Sequence, residues 1–220
     1  MREPWIQVSV DTQDVQSALK HVAHAVAIDA EWIEVGTPLL TFAGIQAIGA
    51  IADEVQDRVV VADFKALDGV GQYFQAAGEL GASVATVMAV ANEASIEEAI
   101  NVGHRSGVKV QVDLLNVPSD HLGKTVRKLS AMGADYFLVH LAIDELKRNP
   151  GADPLLGLNE VVSNSTVPVG PVVFNAEQAI QAMKEGASYV VIGYPLITAS
   201  DARAQLRDFA ESVRRVRPYV

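Results

Sequence analysis

Val59-Val60-Val61-Ala62-Asp63-Phe64-Lys65-Ala66-Leu67-Asp68 decides how this chain folds. Its first half is a short β-branched apolar run, the pattern of a strand buried on both faces, and such strands belong to parallel sheets covered by helices. Its second half delivers two aspartates and a lysine to the end of that strand. Residues two apart on a strand share a face, so Asp63 and Lys65 stand together and hold each other charged. A buried structural ion pair is one account of them, and a reaction centre is the other.

On either side of this stretch, strand and helix patterns alternate with little interruption. Strand patterns cover 6–10, 32–35, 59–62, 84–88, 108–115, 136–140, 167–174 and 189–192. Helical patterns cover 15–27, 44–54, 72–79, 96–106, 120–132, 158–163, 176–184 and 202–216. Eight such pairs with short connections predict a parallel sheet closed on itself: an α/β chain forming a single (β/α)8 TIM barrel, one domain over residues 1–220. Gly81-Ala82, Gly133-Ala134 and Gly186-Ala187 each precede an apolar run, as glycines do where a helix stops in a left-handed cap. A doubly wound open sheet is the alternative. It usually shows a Gly-rich turn after the first strand, and Asp11-Thr12-Gln13-Asp14 has none.

The composition narrows the function classes. Seventeen basic residues against 27 acidic give a net charge of −10, which disfavours a nucleic-acid or anionic-membrane surface and favours a small-molecule protein. There is no cysteine, hence no disulfide, thiolate nucleophile or thiolate metal site. The first residues run directly into a strand pattern, so neither a signal peptide nor a membrane span is expected, and the location expected is cytoplasmic.

In barrels of this kind, reactive groups stand at the C-terminal ends of the strands. Those ends carry Asp11, Glu34, Asp63 with Lys65, Asp113 and His140. Charges embedded in apolar runs are costly unless they share partners, water or a metal, and a common polar centre meets that cost. Glu34 and Asp63, on neighbouring strands, suit a hard divalent ion such as Mg²⁺, whereas zinc normally takes His or Cys. Lys65 beside them can stabilise an enediolate oxyanion. His140, across the barrel, can move a proton near neutral pH. Structural roles compete for some of these: Asp11 as cap of the first helix, Asp113 as partner of its own loop, His140 as a core histidine.

Val8-Ser9-Val10-Asp11, Glu34-Val35-Gly36-Thr37-Pro38-Leu39, Asp63-Phe64-Lys65-Ala66-Leu67-Asp68, Val112-Asp113-Leu114-Leu115 and Val139-His140-Leu141-Ala142-Ile143-Asp144 together resemble the orotidine 5′-monophosphate decarboxylase suprafamily. Within it they resemble the branch of 3-hexulose-6-phosphate synthase and 3-keto-L-gulonate 6-phosphate decarboxylase. Glu34 favours this Mg²⁺-dependent branch, since the nucleotide decarboxylases carry Lys there. Asp113 and Ile143 favour the synthase, since the keto-gulonate enzymes typically carry Glu and Arg.

The resemblance implies an aldehyde-lyase that condenses formaldehyde with D-ribulose 5-phosphate, with a related decarboxylase or aldolase on another keto sugar, or a non-catalytic binding barrel, as alternatives. It implies Mg²⁺ on Glu34 and Asp63, His140 as the base at C1, Lys65 at the enediolate and Asp11 on substrate hydroxyls. It also implies a homodimer in which Asp68 reaches the neighbouring subunit's active site. Such enzymes close on phosphate with a Gly-Gly pair after strand seven and a Gly-rich turn after strand eight. The anion would lie between Gly170 and Gly193, beside Tyr194. Here the sequence departs, with Val172-Val173 in place of the glycine pair, Pro171 lacking an amide hydrogen, and Tyr194 bringing no charge.

Overall fold

Eight strands close into a parallel barrel in the computed structural model, which describes residues 5–55 and 57–216. They are β1 Trp5–Val10, β2 Trp32–Val35, β3 Val59–Ala66, β4 Val84–Met88, β5 Lys109–Asp113, β6 Tyr136–Val139, β7 Val169–Val173 and β8 Tyr189–Ile192. Each pairs with the next in chain order and β8 returns to β1. The (β/α)8 barrel expected from the alternation is the fold found. The expected domain limits at residues 1 and 220 lie outside the described residues. Among the described residues no helix is long and apolar enough to cross a membrane.

The period of two along each strand sorts the apolar residues into two cores. Ile6, Val8, Val10, Ile33 and Val35 face outward and pack under the helices. Trp32, Val61, Val84, Tyr136, Leu138, Tyr189 and Val191 face inward and fill the barrel. Trp32 meets Tyr136 edge-on at 4.9 Å and stacks on Tyr189 at 5.7 Å, the arrangements that ring quadrupoles favour. Gly170 makes room for this floor, since a Cβ there would stand 2.4 Å from Cδ2 of Tyr189. At Gly170, expected to flank a bound anion, the missing side chain serves packing inside the barrel.

Above the floor the inward positions turn polar, and Ser9, Glu34, Asp63, Thr86 and Asp113 form a buried ring. Parallel register sets Ser9 against Glu34 across the β1–β2 pair. A file of polar side chains links the two layers. Tyr189 donates its hydroxyl proton to Phe137 O, Gln111 Nε2 reaches both Tyr189 Oη and Gln7 Oε1, and Gln7 Nε2 donates to Glu34 Oε2.

Ten helices cover the barrel among the described residues: α1 Val15–Ala27, α2 Thr37–Ala43, α3 Ala47–Val55, α4 Val70–Glu79, α5 Glu93–Arg105, α6 Leu122–Met132, α7 Ile143–Arg148, α8 Leu158–Asn164, α9 Ala176–Lys184 and α10 Ala202–Arg215. Asp14, not Asp11, caps α1, its Oδ1 accepting the Ser17 amide at 2.8 Å. Helices α2 and α7 were not expected. Pro38 stands in the first turn of α2, where a missing amide hydrogen costs nothing, and Gly44 at φ +83° ends that helix before α3 begins.

Strand β3 runs four residues beyond the expected Ala62. Its register against β4 slips between Ala62 and Ala66, and Lys65 takes φ +45°. This bulge re-aims the lysine while keeping it on the face of Asp63. Val172 and Val173, inside the strand expected over 167–174, are the last two residues of β7, paired with Val191 and Ile192.

Candidate active site

Asp113 closes β5 and is fully buried. Its Oδ2 receives Lys65 Nζ at 2.9 Å and His140 Nδ1 at 2.9 Å, and its Oδ1 accepts the Leu115 amide at 2.8 Å. Burial alone would raise its pKa, but the His140 ring and the Lys65 ammonium outweigh it and hold the carboxyl well below the usual range. An ionised carboxylate only accepts, so Nδ1 of His140 carries the proton. Nε2 has a lone pair whenever the ring carries only that one proton, and the ring lines the cavity above.

Lys65 also lies 3.0 Å from Asp63 Oδ2. Burial would favour the neutral amine, yet Asp63, Asp113 and Glu34 lift its pKa above the usual lysine range, so it stays charged. Its left-handed backbone costs about 1–3 kcal/mol. Thr86 on β4 holds that conformation, accepting the Lys65 amide at 2.9 Å and donating to Asp63 Oδ1 at 2.8 Å. Thr37, the first residue of α2, donates to Asp63 Oδ2 at 2.6 Å.

Glu34 accepts the Ser9 hydroxyl at 2.7 Å on Oε1 and the Gln7 amide on Oε2. Burial, then the facing charges of Asp63 and Asp11, push its carboxyl up to about 8. Asp11 stands exposed at the rim, and Gly36 lets it pass, since a Cβ on Gly36 would lie 2.1 Å from Asp11 Oδ1. Carboxylates crowded beyond what one lysine neutralises are the donor set a hard divalent cation takes. Among the described residues no group of three or more His, Cys, Asp or Glu forms a ready metal cage. Two buried carboxylates, with water and substrate oxygens completing the shell, fit Mg²⁺ and not zinc.

These groups open into a cavity of about 440 Å³. Asp11, Glu34, Asp63, Lys65, His140, Gly193 and Tyr194 line it, with Asp113 directly beneath. Asp68 does not. It is exposed in a surface depression shared with Gly71, Gln72, Ser95 and Arg105. Sequence reasoning missed Gln7, Ser9, Thr37 and Thr86, all polar residues on the barrel's inward face or directly beside it. Gln7, Ser9 and Thr86 interrupt apolar strand runs, which is the one signal that could have found them.

Residues 4–209 match the family described as Orotidine 5'-phosphate decarboxylase / HUMPS family. The chain belongs to this family. Within the family it is 29% identical over 213 residues to 3-hexulose-6-phosphate synthase 2 of Staphylococcus saprophyticus, covering 94% of this chain and 97% of that one. It is 30% identical over 199 residues to a 3-hexulose-6-phosphate synthase of Staphylococcus aureus, covering 89% and 92% of the two chains. The 1.65 Å crystal structure of 3-hexulose-6-phosphate synthase from Salmonella typhimurium superposes with a TM-score of 0.89 at 26% identity, over 97% of this chain and all of that one. The barrel is thus an enzyme of lyase type, similar over nearly its whole length to 3-hexulose-6-phosphate synthases.

Proposed function

We propose that this barrel is a Mg²⁺-dependent aldehyde-lyase that draws an enediolate from a ketose and adds it to formaldehyde. The observation that carries this is the placement of a cation and a base on one carboxylate oxygen, facing two further buried carboxylates. Nε2 of His140 takes a proton from C1 of the ketose, and Asp113 balances the imidazolium that forms. The charge appearing on the sugar oxygens develops opposite the Lys65 ammonium, already in place before the reaction. C1 then bonds to the carbonyl carbon of formaldehyde, whose π electrons move to its oxygen, and that oxygen takes the proton from His140. A Mg²⁺ held by Glu34 and Asp63 supplies, when bound, a Lewis acid for the ketose oxygens.

Similarity to the synthases suggests D-ribulose 5-phosphate as ketose, a cytoplasmic homodimer, and Asp68 entering the partner's site. Decarboxylation of a keto acid passes through the same enediolate, with CO₂ leaving in place of a proton. Ile143 lines the cavity and offers such a carboxylate no charge, which favours the synthase direction.

The test is deuterium entry at C1 of D-ribulose 5-phosphate and of its phosphate-free analogues in D₂O with Mg²⁺. Exchange that stops on chelation and in His140→Asn is expected. Folded protein that exchanges none of them would sink this chemistry.

A further inference from the structure

Between β3 and β4 the ladder loses its one-to-one count. Ala62 pairs with Ala85 and Ala66 with Val87, so Asp63, Phe64 and Lys65 on β3 face Thr86 alone on β4. The surplus leaves Lys65 at φ +45°, a conformation that a residue with a Cβ keeps only where its surroundings enforce it. The enforcing group is a side chain. Thr86 Oγ1 takes the Lys65 amide at 2.9 Å, where a regular ladder would offer a main-chain carbonyl.

A hydroxyl that accepts there has one proton to give, and it goes to Asp63 Oδ1 at 2.8 Å. That carboxylate in turn meets the Lys65 ammonium, 3.0 Å from its Oδ2. Thr86 therefore grips the lysine at both ends: the backbone directly, the charged tip through Asp63. Thr37 also donates to Asp63, but its single proton has two acceptors, Oδ2 at 2.6 Å and the Asp63 carbonyl at 2.9 Å. Thr86 has no second acceptor among the described residues, and branching at Cβ restricts its rotation.

Thr86 is 1% exposed and lies outside the cavity wall, so it acts only through its neighbours. We propose that Thr86 is a positioning residue of this enzyme, its hydroxyl setting the Lys65 ammonium where negative charge develops on the ketose. Its part in turnover rests on the enediolate chemistry proposed above, while its hold on the ammonium rests on the hydrogen bonds alone. A displaced ammonium stabilises the transition state less and leaves ground-state binding nearly untouched, so the loss falls on kcat.

The experiment compares Thr86→Val, which keeps the shape and removes the hydroxyl, with Thr86→Ser, which keeps the hydroxyl, on the full chain with Mg²⁺. C1 exchange of D-ribulose 5-phosphate gives kcat and KM, and nitrogen NMR of the Lys65 ammonium reports its setting without substrate. In Thr86→Val, kcat should fall about 10²-fold, the cost of a misplacement of about 1 Å, with KM little changed and the ammonium signal shifted. Thr86→Ser should restore both. Thr86→Ala carries the same comparison if the valine variant does not fold. An unmoved ammonium signal in folded Thr86→Val overturns the inference, as does an unchanged kcat. So does Thr86→Ser as slow as Thr86→Val, which would assign the effect to packing. Wild-type protein that exchanges nothing sinks the enediolate chemistry instead, and the ammonium signal then decides the hold of Thr86 by itself.

Discussion

Oδ2 of Asp113 receives both the Lys65 ammonium and the His140 ring, so base and cation share one support. Asp113→Asn puts an amide where both need an acceptor. Proton exchange should fall at least about 10²-fold, the usual worth of a positioned base, and stability by about 3 kcal/mol from breaking a buried pair, read by NMR and urea titration. His140→Asn should lose comparable activity with little loss of stability, because its ring is partly open to the cavity; a large drop in midpoint would contradict that. Most of these residues were legible in the sequence because charge is conspicuous inside apolar runs. Thr86 and Ser9 were not, because a hydroxyl inside a strand is cheap to bury once paired, and its partner appears only when strands are neighbours.

The bulge in β3 and the bare inward position in β7 each set the site through the backbone. Gly170→Ala should destabilise by about 1–3 kcal/mol, because its Cβ collides with the Tyr189 ring, and should leave the charged groups in place. Chemical denaturation combined with exchange per folded molecule separates the two effects; intact stability would contradict a packing role. Alternation and helix caps made the eight pairs readable. Helices α2 and α7 span 7 and 6 residues, fewer than two full turns, which leaves little helical period to read. The length of β3 was hidden because a lysine and an aspartate read as an ending, whereas Thr86 lets the ladder continue past them.

Across the whole molecule, the crowded carboxylates tie stability to pH and metal. Glu34 ionises near 8 when folded, against an ordinary value of 4.5, so the unfolded chain releases that proton first as pH rises. Metal-free protein should therefore lose stability steadily from about pH 5 to pH 8 and level off above. Asp113, held low, adds nothing to the slope in that window. Mg²⁺ should raise the melting midpoint more at pH 8 than at pH 5 in differential scanning calorimetry; an equal rise at both would count against Glu34 as a ligand. Asp68 lies exposed, outside its own cavity, next to the exposed Leu67. If it serves a partner, mixing Lys65→Ala with Asp68→Ala protein should regain about a quarter of wild-type activity from statistically formed heterodimers, whereas no recovery would rule out a shared site. The file from Tyr189 through Gln111 and Gln7 to Glu34 reaches from the floor of the barrel to its mouth. Each member fixes which way the next amide must point, so a change at one spoils the hydrogen-bond polarity of the others. In a lineage of such barrels these positions are expected to be inherited as one block, and a laboratory library that varies them singly should return few active clones where one that varies them together returns many.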